Sequence, residues 1–216
     1  MRTRAYRVAF VALLVSAAWR VSSASPETPL GQFDGHGDVG APRLPGSVTY
    51  DAVSQEYRLA AAGVNMWGPR DEFHLVWKRL KGDFILRARV ELVGEGVDPH
   101  RKAGVIVRSS LDADSPYADA VVHGDGLTAL QYRRSKGADT EENRSEVTGA
   151  EVLQLERRGK TVTVSAARLD DLPKTTQISD LDLRDEVYLG LFLCSHNPDV
   201  IERAVFRDVR IISHEP

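Results

Sequence analysis

Short apolar runs, many alternating with polar residues, recur along this chain with turn residues between them, and no segment shows the spacing of an amphipathic helix. The runs fall at Ser47–Tyr50, Glu56–Ala60, Phe73–Leu80, Phe84–Leu92, Ala103–Ser109, Ala118–His123, Leu127–Arg133, Val152–Arg157, Thr161–Ala167, Val187–Ser195 and Ala204–Ile212. Lys81-Gly82-Asp83, Gly94-Glu95-Gly96, Asp112–Pro116, Asp125-Gly126 and Arg158-Gly159-Lys160 punctuate them. A two-residue period puts successive side chains on opposite faces, so each run can bury one face and wet the other. Many short strands of this kind predict an all-β fold, an antiparallel β-sandwich of jelly-roll type. Lys136–Gly149 is the one long polar stretch and reads as a mobile loop.

The N-terminus carries a different pattern. Arg2, Arg4 and Arg7 precede an apolar run from Val8 to Ala18, and small residues follow at Ser22-Ser23-Ala24. This is the layout of a cleaved secretory signal over residues 1–24, and the apolar run is shorter than the roughly 20 residues a membrane span needs. The expected location is therefore secreted or periplasmic, with no membrane insertion after cleavage. Removing residues 1–24 takes away Arg2, Arg4, Arg7 and Arg20 but no acid, leaving 24 basic against 31 acidic side chains and a net charge near −7. Such a balance argues against nucleic acid or an anionic membrane as partner. Cys194 is the only cysteine, so no intrachain disulfide can form, and its apolar neighbours mark it as a small buried residue. Residues 25–37 read as a flexible leader and 38–214 as a single domain, taken as monomeric; about 190 residues suffice for one good core.

Two blocks suggest ligand contacts. The first runs from Val64 to Trp77 and sets Asn65, Trp67, Asp71 and His74 around a Gly68-Pro69 turn. An aromatic face with nearby hydrogen-bonding groups suits a sugar. Phe73, Leu75 and Trp77 are in phase and read as core, with His74 and Val76 opposite. The second block is the hairpin at His123-Gly124-Asp125-Gly126. Read as a two-residue Asp125-Gly126 turn, it pairs His123 with Thr128 and Ala120 with Gln131, and sets Gln131 and Arg133 beside Ala118, Ala120 and Val122. In Phe84–Leu92 the core set is Phe84, Leu86, Ala88, Val90 and Leu92, which turns Arg87 and Arg89 outward.

Several segments resemble a known family. Asp38-Val39-Gly40, Pro45–Asp51, Trp67 with Asp71–His74, Gly82-Asp83, Ala103–Ser110, Leu155–Lys160, Val187–Phe192, Ser195-His196-Asn197 and Ala204–Val209 carry the likeness. Together they resemble the concanavalin A-like, laminin-G-like jelly-roll domains of bacterial secreted proteins, and most closely the domain family of unknown function numbered 1349. The resemblance spans roughly residues 38–212 and implies the fold; the wider superfamily holds lectins, carbohydrate-binding modules, glucanases and lyases, so it does not fix the activity. Related modules place a Ser-x-Asp-Gly-x-x-Trp turn where this chain has Ser165 followed by Ala166–Asp171, and the aromatic contact expected there is missing.

The chemistry favours binding over catalysis. Asp71 and Glu72 are adjacent, so on a strand they face opposite ways and cannot pair across a glycosidic bond. The Glu-x-Asp-x-x-Glu motif of jelly-roll glucanases does not occur, and no nucleophile elbow, zinc-protease helix or phosphate loop is present. The histidines lack a close pair such as His-x-x-x-His. Asp112-Ala113-Asp114 and Asp119 read as a solvated turn, with a structural calcium as the alternative, and no cofactor is expected. The expected function is an exported, non-catalytic module that grips a glycan or similar extended polar ligand on a concave face. The candidate contacts are Asn65, Trp67, Asp71, His74, Arg87, His123, Gln131, Arg133 and His196. The alternatives are a small carbohydrate-active enzyme, lyase-like or hydrolytic, and a cell-envelope protein-interaction module.

Overall fold

The computed structural model describes residues 30–213, so the expected signal segment over residues 1–24 lies outside the described residues. Strands β1 (Gly35–Val39), β4 (Phe73–Lys81), β13 (Glu186–Cys194), β6 (Lys102–Arg108), β7 (Tyr117–His123), β8 (Thr128–Arg133) and β9 (Glu141–Arg144) form one sheet in that order. The second sheet is ordered β12 (Lys174–Ile178), β11 (Thr161–Ala167), β10 (Val152–Arg158), β5 (Phe84–Leu92), β14 (Asn197–Ser213), β3 (Glu56–Gly63) and β2 (Ser47–Asp51). Every pairing is antiparallel, and no helix occurs among the described residues. The all-β sandwich is therefore as the periodicity predicted.

The core between the sheets follows from alternation. Phe84, Leu86, Ala88 and Val90 of β5 meet Val105 and Val107 of β6, Ala118, Ala120 and Val122 of β7, and Leu189, Leu191 and Leu193 of β13. The intervening residues of the first sheet build a second apolar layer on its outer face: Ile106, Tyr117, Val121, Ala129, Phe192 and Cys194. Met66, Leu111 and Ala113, from two loops that fold over this face, cover it. At two positions in this sheet the neighbouring strand comes too close for any side chain. A Cβ on Gly104 would sit 2.0 Å from the Ala120 carbonyl oxygen, and one on Gly190 1.9 Å from that of Val76.

Four expectations change. Val76 and Leu80, not Phe73, Leu75 and Trp77, point between the sheets, because β4 is apolar on both faces and alternation alone cannot say which is inside. The hairpin closes with His123 paired to Leu127 through Gly124-Asp125-Gly126, with Gly126 at φ +88. That is a three-residue loop with a bulge, and it shifts the register to Val122↔Thr128, Asp119↔Gln131 and Tyr117↔Arg133. A one-residue slip turns each side chain to the other face. Ala118, Ala120 and Val122 therefore belong to the core, and His123, Gln131 and Arg133 share the outer face with Tyr117 and Asp119. Residues 136–149 contain β9, hydrogen-bonded to β8, so the middle of this stretch is an edge strand rather than part of one mobile loop. The domain begins before residue 38, since Phe33 is buried and β1 starts at Gly35.

Candidate functional site

The outer face of the first sheet has two halves. Over the first, the loops 64–72 and 110–116 are tied down by one buried carboxylate. Asp71 Oδ2 accepts from Arg108 Nη1 at 2.8 Å and Arg133 Nη1 at 2.9 Å, while its Oδ1 accepts from Arg133 Nη2 at 2.6 Å. All three side chains are fully buried. The remaining guanidinium hydrogens reach the carbonyls of Gly68, Ser110, Asp112, Ser115 and Ala138, so a single cluster fastens three loops. Arg108 and Arg133 both lie over the Tyr117 ring, whose hydroxyl donates to the Met66 carbonyl at 3.0 Å. Asp71 and Arg133 are thus anchors with no surface to offer a ligand.

That anchoring explains Trp67. Met66 is pulled into the apolar layer, and the Arg133 guanidinium holds Gly68, so the residue between them points outward with 47% of its surface exposed. Beside it opens the second half of the face, a cleft of about 250 Å³. Asn65, Trp67, His123, Gln131 and His196 line it, bringing together five of the nine expected contacts. His100, Lys102, Glu142 and Arg144 join them. The sequence did not single out these four because Glu142 and Arg144 fall in the stretch read as a loop, and His100 and Lys102 precede the apolar run that begins at Ala103. The available signal was the one-residue spacing of Glu142 and Arg144, which puts both on one face of a strand.

The floor is polar and sparsely satisfied. Lys102, only 2% exposed, donates to Asn65 Oδ1 at 3.0 Å. Gln131 Nε2 donates to Glu142 Oε2 at 2.9 Å, and Arg144 Nε donates to Glu142 Oε1 at 2.7 Å. Asp119 Oδ2, His123 Nδ1 and Gln131 Oε1 are buried without a hydrogen-bond partner. Burial, with Lys102 opposing it, pushes the Asp119 carboxyl well above the usual carboxylate range. Burial and the Lys102 charge hold the His123 imidazole down to about 3, so it is neutral near neutral pH. Burial draws the Glu142 carboxyl upward, but its bonds to Arg144 and Gln131 outweigh this and keep it below its ordinary value. His196 takes a left-handed conformation (φ +60) at the cleft edge, and its Nδ1 lies 3.3 Å from Asp98.

Two further expected contacts lie elsewhere. His74 shares the Val76 side of β4 and is 1% exposed, with Nδ1 2.6 Å from Asp38 Oδ1 and Nε2 3.1 Å from His36 Nδ1. Burial lowers its basicity against the pull of Asp38. Arg87 is exposed on the outer face of the second sheet, where it lines a different hollow with Gln154 and Ser165. Neither reaches the cleft, because each belongs to another sheet face.

No family model and no curated protein matches the chain. Solved structures do share its fold. A functionally unknown protein from Saccharomyces cerevisiae superposes with a TM-score of 0.60 at 14% identity, covering 79% of this chain and 93% of that one. The carbohydrate-binding module CBM66 from Bacillus subtilis gives 0.54 at 16% identity, over 84% and 97% of the two chains. Lectin I-B4 from Griffonia simplicifolia gives 0.51 at 10% identity, over 79% and 92%. At such identities the likeness is one of fold, and by fold this chain is a concanavalin A-like, lectin-like jelly-roll sandwich.

Proposed function

We propose that the protein is an exported, monomeric glycan-binding module that holds a sugar unit in the cleft between Trp67 and strands β7–β9 without chemistry. The observation that carries this reading is Trp67, half exposed on a loop pinned from beneath and standing beside a pocket floored by unpartnered polar atoms. The indole offers an apolar face for a sugar ring, while His123 and Gln131 offer polar atoms that a hydroxyl network would satisfy. The cleft falls slightly below the roughly 300 Å³ at which pockets for drug-sized ligands begin, so it suits one ring or a chain end. The carbohydrate-binding module and the lectin among the structural neighbours support the choice of ligand class. The sequence resemblance to the family of unknown function numbered 1349 belongs to this same proposal.

Catalysis is the poorer reading because both oxygens of Glu142 are engaged and Asp119 has no exposed surface. A glycan array on the purified protein, followed by calorimetric titration of the best binder, tests the proposal. Binding should be lost in Trp67→Ala. Unchanged binding in that variant removes this site, and release of reducing ends or unsaturated products from polysaccharides removes the non-catalytic claim.

A further inference from the structure

The end of the cleft carries a side-chain cluster that shares only His123 with the groups proposed to contact the sugar. His100, His123 and Asp125 each offer one ligating atom, and these atoms lie within 4.8 Å of one another. We infer that these three side chains form a binding site for a zinc-class divalent cation.

The backbone holds the three residues together. His100 lies in the turn 98–101, and this turn is stitched to the hairpin tip by Gly124 N–H donating to the Arg101 carbonyl and Asp125 N–H donating to the Pro99 carbonyl, both at 2.8 Å. Asp125 Oδ1 accepts from Leu127 N–H at 3.0 Å, which leaves Oδ2 turned toward His100 Nδ1 at 3.9 Å. The His100 and His123 rings meet edge to face at 6.0 Å. His123 is 5% exposed, and its Nδ1 has no partner in the fold. A buried, unpartnered nitrogen costs free energy unless something coordinates it. Asp98 supports the arrangement from outside, accepting from the His100 backbone N–H at 2.7 Å and lying 3.3 Å from His196 Nδ1.

The donor set selects the ion. Two imidazoles and one carboxylate suit zinc, cobalt or nickel, whereas calcium and magnesium take mainly oxygen ligands. Tetrahedral bonds of about 2.0–2.1 Å place ligand atoms about 3.3 Å apart, so the cluster must tighten by up to about 1.5 Å. His100 and Asp125, with side chains 53% and 40% exposed, can supply that movement. Lys102 and Arg144 are the nearby opposing charges; the Lys102 ammonium is turned to Asn65, and the Arg144 guanidinium is bonded to Glu142. Three protein ligands leave one position of a tetrahedral ion for water or another donor, and two of the three, His100 and His123, line the cleft.

Chelator-treated protein should take up one equivalent of Zn2+ by calorimetry, and Co2+ should give the visible absorption of a low-symmetry four-coordinate site. His100→Ala and Asp125→Asn, both at exposed positions, should each weaken uptake by more than the roughly 10–100-fold that losing an outer-shell partner costs. Unchanged circular dichroism would show that those variants keep the fold. His36→Ala, in the separate His36–His74 pair, should leave the titration unaltered. Absence of saturable Zn2+ binding, retention of binding in both cluster variants, or displacement by equimolar Ca2+ would overturn the assignment. Because these measurements need no sugar, failure of the metal site and failure of the glycan reading are separable.

Discussion

Asp71→Asn is the perturbation with the sharpest consequence for this fold. The Asp71 carboxylate is fully buried and accepts three charge-assisted hydrogen bonds of 2.6–2.9 Å from Arg108 and Arg133. The amide keeps the shape but leaves two buried guanidinium groups without a counter-charge. Breaking a buried ion pair from one side costs about 3–5 kcal/mol, a large share of the 5–15 kcal/mol that a domain has. For a domain of this size each kcal/mol moves Tm by about 2–4 °C, so a drop of about 10 °C is expected. Thermal unfolding followed by circular dichroism measures it. Arg108→Met supplies the discriminating comparison, because it leaves the bidentate Asp71–Arg133 pair intact and removes the excess positive charge. If charge governs the cluster, Arg108→Met is the milder change. A Tm drop under about 3 °C for Asp71→Asn, or an Arg108→Met loss at least as large, would refute the electrostatic account and assign the stability to the stacking of Arg108 on Phe73 and Tyr117.

Other expectations follow from the same geometry. Trp67→Ala should leave urea unfolding within about 0.5 kcal/mol of the parent, as for exposed side chains generally, while abolishing sugar binding. Gly104→Ala and Gly190→Ala should each prevent soluble expression or lower Tm steeply, since the new Cβ would lie 2.0 and 1.9 Å from a neighbouring carbonyl oxygen; two well-folded variants would contradict the close strand approach. In the chelator-treated protein, acid below pH 6.5 should remove the stability owed to the buried neutral His123. His123 is held at about 3 when folded, so the unfolded chain, titrating near 6.5, binds the extra proton. The stability owed to the neutral His123 is therefore full above pH 6.5 and falls by about 1.4 kcal/mol per pH unit toward pH 3, with His74 adding in the same direction and the raised Asp119 carboxyl opposing both. The difference in urea midpoint between the parent and His123→Gln, followed from pH 7.5 to 4.5, reads this slope; a difference that does not change with pH would count against the buried neutral imidazole.

The interior of the sandwich was legible in the sequence because its strands carry their own signal. Phe84–Leu92 alternates cleanly, and its assigned faces are those of β5. The strands that escaped notice are β1, β9 and β12, and each lies at the edge of a sheet. Edge strands with exposed backbone are kept polar or glycine-rich, which discourages pairing with other chains and also erases the apolar period. Gly35–Val39 and Glu141–Arg144 read as loop for that reason. The site was harder still. Asn65, Trp67, His123, Gln131 and His196 converge, but the hairpin reading missed their neighbours by one residue, because Asp125-Gly126 fits a two-residue turn as well as the last part of a three-residue loop. Asp71 and Arg133 look like ligand contacts by residue type, and only three-dimensional pairing shows that they bind each other. Nothing local in Arg108 announces its part in that cluster.

The buried cluster and the exposed tryptophan are two ends of one arrangement. A loop that must present an aromatic ring to solvent loses favourable burial at that residue, so the loop has to be fixed by its neighbours. Here Met66 contributes apolar burial on one side, and on the other the Gly68 carbonyl accepts from Arg133, which is itself oriented by Asp71. The ring is then held in place before any ligand arrives, and less conformational entropy remains to be lost on binding. This gives Asp71 a second, functional signature. In Asp71→Asn at a temperature where the domain is still folded, the loop from Val64 to Glu72 should exchange its amide hydrogens faster than the β6–β7 ladder does, and sugar affinity should fall although no cleft residue has changed. Loss of stability without loss of affinity would separate the two ends and leave Trp67 positioned by local turn chemistry alone.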